Sequence, residues 1–132
     1  MNSVAQLIGR ILLASVFVQA GYRKLFASGI QGTIDSLANH GFPFSVPLAY
    51  AAAAGEMIGG IMLILGLWSR FAAIAFFIYV GVLAALFHNF WAFSDAAQHA
   101  QQMAIFYFHL ATMGGMAYVA VFGPGSLSIQ RK

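Results

Sequence analysis

Arg10, Glu56, Gln102, His88 and His109 are the residues of this 132-residue sequence from which chemistry could be built. All lie in or at the ends of long apolar runs, where an ionised side chain costs at least a few kcal/mol unless it faces other protein and finds partners. Arg10 and Glu56 differ in depth by about 7 Å at 1.5 Å per residue, a gap that an arginine stem can cover. An Arg10–Glu56 ion pair is therefore expected, either as a bridge that fixes helix register or as the floor of a ligand or proton-accepting site. His88 closes the third apolar run, while Gln102, His109, Met113 and Met116 share one stripe on the fourth. With Glu56 they could line a cavity open on the side away from the termini, its imidazoles donating to a carbonyl and shuttling protons. The plainer reading of that stripe is hydrogen bonding between helices.

Several chemistries are disfavoured by the same residues. Haem held by two histidines needs them at matching depth, and His88 and His109 read as offset by about 8 Å. His88, His99, His109 and Glu56 show no metal-ligand spacing, so no metal site is assigned. There is no Cys, which removes disulfide, iron–sulfur and dithiol chemistry and leaves any electron transfer to a borrowed cofactor. No phosphate loop, paired carboxylate or serine-nucleophile signature appears, which argues against hydrolases. Six Lys or Arg without a dense cluster do not make a nucleic-acid surface.

These groups must be positioned by elements that answer to lipid. Hydrophobic residues make up 61% of the chain and charged residues 7%, against about 25% charged in soluble domains. Four stretches, 4–22, 47–67, 71–90 and 102–122, each approach the roughly 20 apolar residues that span a bilayer as helix. Gly and Ala recur in them without strand-like alternation. The expected fold is a single-domain, all-α, integral-membrane four-helix bundle with no internal repeat. Residues 26–40 read as a short interfacial amphipathic helix between spans 1 and 2, with Phe26, Ile30, Ile34 and Leu37 on one face and Gly41 and Pro43 as its stop. A lid over the bundle mouth is the alternative. Residues 94–101 read as a polar hinge.

The first run resembles a signal peptide at Val18-Gln19-Ala20, but no Lys or Arg precedes it and Arg10 interrupts it, so an uncleaved span is expected. Ala51, Gly55 and Gly59, with Gly81 and Ala85, suggest close helix packing. Arg70, Arg131 and Lys132 on one side outnumber Arg23 and Lys24 on the other, which places the termini in the cytoplasm. Trp68, Trp91, Tyr22, Tyr50 and Phe90 fall near span ends, at headgroup level.

The sequence resembles the DoxX family of small four-span bacterial membrane proteins. The resemblance rests on Gly9-Arg10, Gln19-Ala20-Gly21-Tyr22-Arg23-Lys24-Leu25, Gly55-Glu56-Met57-Ile58-Gly59-Gly60 and Leu65-Gly66-Leu67-Trp68-Ser69-Arg70. It continues through His88-Asn89-Phe90-Trp91, Gly114-Gly115 and Gly123-Pro124-Gly125-Ser126-Leu127-Ser128. It implies a multi-pass protein of the bacterial inner membrane, with Arg10, Lys24, Glu56, Arg70 and His88 among the family's polar positions. Two departures stand out: Phe108-His109 replaces a Lys-Asn pair, and Ser126-Leu127-Ser128 replaces Ser-Leu-Asp. The family's associations with quinone-linked sulfur oxidation, membrane oxidoreductase complexes and stress operons imply an accessory subunit that binds a quinone and works with a larger membrane or peripheral oxidoreductase. A non-catalytic scaffold is the second expectation and an oligomeric proton or small-solute carrier the third; a homo-oligomer fits the small bundle.

Overall fold

The computed structural model describes residues 2–130. Among them the order is α1 (Ser3–Phe26), α2 (Ile30–Asn39), α3 (Ser45–Leu65), α4 (Ser69–Phe87), a 3-10 turn (Phe90–Ala92) and α5 (Ala96–Phe122). Four helices are long and apolar enough to cross a membrane, three of them α1, α3 and α5 and the fourth α4 extended through Ala92. Only helices and closed barrels satisfy every backbone polar group in lipid, and large side chains such as Ile58, Ile78 and Tyr118 stand exposed along these helices, as lipid-facing residues do. The charge count that orients the termini falls partly on Arg131 and Lys132, which lie outside the described residues.

The helix boundaries differ from expectation at two places that matter for the site. Span 1 does not stop at Tyr22: α1 runs through Arg23 and Lys24 to Phe26 and ends where Ser28 takes φ 61° and the Gly29 N–H donates to Arg23 O at 3.0 Å. Residues 94–101 are not a hinge, because Asp95 caps α5 by accepting from the Gln98 N–H at 3.0 Å and the helix starts at Ala96. A single Asp N-cap satisfies a free helix N–H and sets the start.

The chain forms two compact units, one reaching to Trp68 and rejoined from Pro124 onward, the other Ser69–Gly123. In the first, α1 and α3 run antiparallel: a Cβ on Gly21 would sit 2.7 Å from Ala53 O and 2.9 Å from Met57 N, and one on Gly60 would lie 3.3 Å from Ala14 O. Glycine is required at Gly21 because two backbones touch there. The expected stripe Ala51, Gly55 and Gly59 is not the one that packs: Ala51 and Gly55 are exposed, and a Cβ on Gly55 would meet nothing within 4 Å. The buried α3 residues are Ala49, Ala53, Glu56, Gly60 and Leu63. α2 is shorter than expected and buries no residue, and its exposed polar side carries a Gln31 Nε2 to Asp35 Oδ1 bond of 2.8 Å. It rests on α1 and α3.

The second unit pairs α4 with α5, also antiparallel, and both units close in the same way. In the first, Arg10 Nη1 donates to Leu63 O and Ile64 O at 3.0 and 3.1 Å, just before α3 ends at Leu65. In the second, Arg70 Nη1 donates to Ala120 O and Val121 O at 3.0 and 2.6 Å, just before α5 ends at Phe122. The residue that follows the helix is a glycine with positive φ in each case, Gly66 at φ 71° and Gly123 at φ 77°. The last carbonyls of a helix have no partner within it and carry the negative end of its dipole, so a guanidinium with donors in a fixed fork suits both ends. The two units thus repeat one design that the sequence does not reveal as a repeat.

Candidate functional site

Glu56 is bound by Lys24 and not by Arg10. Lys24 Nζ lies 2.8 Å from Oε1 and 2.8 Å from Oε2, with the side chains 15% and 4% exposed respectively. The physical reason is the direction of the side chains. Every Cα–Cβ bond of a helix tilts toward its N-terminus, so in this antiparallel pair Lys24 leans inward along α1 while Glu56 leans outward along α3, and the two meet. Arg10 leans the same way as Lys24, toward the C-terminal end of α3, and so away from Glu56. Matching depth by Cα position alone ignored this tilt, and it also left Lys24 in a loop, where no partner for Glu56 would be sought. The recoverable signal was spacing: Lys24 follows Gly21 by three residues and Glu56 follows Ala53 by three, so both pairs share the face on which the helices touch.

Arg10, 2% exposed, is a clamp for three segments of its own unit. Besides the two α3 carbonyls, its Nη2 donates to Leu127 O in the C-terminal segment. That segment is held further by Ile129 N to Leu65 O at 2.9 Å, Trp68 N to Gln130 Oε1 at 2.9 Å and Ser3 Oγ to Ser126 Oγ. The Ser126-Leu127-Ser128 stretch therefore serves Arg10 through a backbone oxygen. Arg70, which the residue pattern offered only as a loop charge, is the corresponding clamp of the second unit.

His88, Gln102 and His109 come together in the second unit. His88 Nδ1 lies 2.8 Å from Gln102 Oε1, and the two imidazole centroids are 4.9 Å apart at an interplanar angle of 39°. The expected depth offset of about 8 Å is closed because His88 lies just past the end of α4 at Phe87, and His109 tilts toward the start of α5. His109 Nδ1 is 2.8 Å from Ile105 O. A carbonyl only accepts, so His109 Nδ1 carries the proton and the Nε2 of the neutral ring keeps a lone pair. Both rings are partly exposed.

Aromatic rings adjoin this trio. Phe106, on the face shared by Gln102 and His109, packs edge-on at 5.3 Å from Phe90 and 5.7 Å from Trp91. Phe90 also meets Tyr107 at 6.3 Å and His99 at 5.4 Å. His99 is turned to this ring cluster and to Phe93 O, with its Nδ1 at 3.3 Å. Among the described residues no group of three or more His, Cys, Asp or Glu is arranged to hold a metal ion. What the trio offers is neutral imidazole and amide hydrogen bonding beside flat apolar surfaces, the equipment for a small aromatic ligand with polar substituents.

A family model described as DoxX matches residues 5–89. Inner membrane protein YphA of Escherichia coli strain K12 is 29% identical over 129 residues, covering 98% of this chain and 90% of YphA. Inner membrane protein YqjF of the same organism is 30% identical over 132 residues, covering 99% of this chain and 93% of YqjF. No solved structure matches the chain.

Proposed function

The chain belongs to the DoxX family and is a multi-pass inner-membrane protein, and from that premise we propose that it is an accessory subunit of a quinone-linked oxidoreductase. Its second unit holds the quinone-type head group, and a partner protein supplies the redox centre. The observation that carries this reading is the His88–Gln102–His109 trio, which joins the end of α4 to α5 beside Phe90 and Phe106. An aromatic head group needs a flat apolar wall and a few fixed polar contacts, and both adjoin the end of α4. The chain has no Cys for dithiol or iron–sulfur chemistry, so the redox centre is borrowed, in this reading from the partner. In this reading Arg10 and the Lys24–Glu56 pair are internal staples.

The test is native purification from unperturbed membranes in mild detergent, with mass spectrometry of co-eluting proteins and of solvent-extracted small molecules. The expected result is a co-eluting oxidoreductase and a quinone or quinol near one equivalent, both lowered in amount by His109→Phe. A quinone-free protein without a partner would refute it.

A second reading, a non-catalytic scaffold that stabilises a membrane complex, is favoured by one observation: the guanidinium groups of Arg10 and Arg70 bond helix-end carbonyls, and Lys24 bonds Glu56. Under it, His88→Phe and His109→Phe leave function unchanged, whereas Arg10→Met abolishes assembly.

A further inference from the structure

Resting on the reading that the second unit holds a quinone-type ring, we infer that this site is built for the reduced, dihydroxy form, an aromatic diol, and discriminates against the dicarbonyl form. The polarity of its hydrogen bonds carries the inference. Ile105 O can only accept, so the 2.8 Å contact fixes the His109 proton on Nδ1. Gln102 stands with its amide oxygen 2.8 Å from His88 Nδ1, and in that orientation His88 donates from Nδ1. A neutral imidazole with its one proton on Nδ1 presents a lone pair at Nε2. Among the described residues neither Nε2 has a hydrogen-bond partner, and both rings are open to approach.

Two neighbouring acceptors select their ligand by what it donates. A hydroxyl of an aromatic diol donates to an Nε2 directly. A quinone carbonyl is itself only an acceptor and would face the ring nitrogens lone pair to lone pair. A site made to bond a hydroxyl rejects the analogue that lacks it, because the acceptor that the ligand covers is then left unpaired. The second-layer contacts do the selecting: Ile105 O and Gln102 Oε1 dictate which edge of each imidazole is bare. The ring of the ligand would rest beside Phe106, which lies between Gln102 and His109 on one face of α5.

The experiment is calorimetric titration of the full-length protein in lipid nanodiscs, under anaerobic conditions, with decylubiquinol and separately with decylubiquinone, using empty nanodiscs to subtract partitioning. The diol is expected to bind about tenfold or more tightly than the quinone, and His109→Phe is expected to erase the difference while helicity and melting stay as in the parent. Equal or tighter binding of the quinone would overturn the diol preference and leave the quinone-site reading standing. Binding of neither would overturn both. Should His109→Phe fail to fold, 15N-histidine NMR of the parent decides: pyridine-type Nε2 resonances that shift with the diol support the inference, and protonated Nε2 in the free protein overturns it.

Discussion

Replacing Lys24 by Met should be among the most damaging single changes in the first unit. Glu56 is 4% exposed and receives the ammonium at 2.8 Å on each of its oxygens, from a lysine 15% exposed. Both charges are largely withdrawn from solvent, so the interaction belongs with buried pairs, where removing one partner costs about 3–5 kcal/mol because the other charge loses its counter-ion. Replacing both partners by apolar residues of similar volume removes both charges, and such swaps are often neutral or stabilising. Lys24→Met should therefore lower stability by about 3 kcal/mol or more, and Lys24→Met/Glu56→Leu should recover most of that loss. Reversible denaturation in mixed micelles, followed by tryptophan fluorescence and circular dichroism, measures the cycle. A Lys24→Met cost below about 1 kcal/mol, with no coupling to Glu56→Leu, is the behaviour of an exposed pair and would refute the argument.

Gly21→Val should destabilise by about 1–3 kcal/mol, because its Cβ meets backbone atoms of α3 that cannot swing away, whereas Gly55→Ala should be silent; thermal melts of the two variants distinguish them. Arg10→Met should cost more than Arg70→Met in the same assay, since the Arg10 bonds include a buried one whereas those of Arg70 are exposed. Asp95→Ala should fray the first turn of α5 at a cost of about 1 kcal/mol, seen as faster amide exchange at Ala97 and Gln98.

The four spans were legible because lipid imposes a length and a composition that few sequences meet by accident. The short amphipathic helix was legible from the spacing of Ile30, Ile34 and Leu37, although α2 begins later than Phe26 because α1 continues to that residue. The ion pair was not legible, since depth along a helix axis says nothing about the tilt of a side chain, and that tilt sends Arg10 toward helix-end carbonyls and gives Glu56 to Lys24. The repeat of two clamped helix pairs was hidden for a related reason. Its partners are backbone oxygens of Leu63, Ile64, Ala120 and Val121, whose side chains carry no trace of the bond. His88, Gln102 and His109, read from polarity and stripe as one group with Glu56, do lie close to one another, but that closeness depended on where α4 stops.

The most direct test of the central claim is anaerobic photolabelling of native membranes containing the full-length protein with an azido-quinol, followed by peptide mapping. Labelling concentrated on peptides carrying His88 and on those carrying residues 102–109, competed by unlabelled quinol and lost in His109→Phe, is the predicted result. Label spread evenly over the spans, or unchanged by His109→Phe, would contradict a quinone site in the second unit.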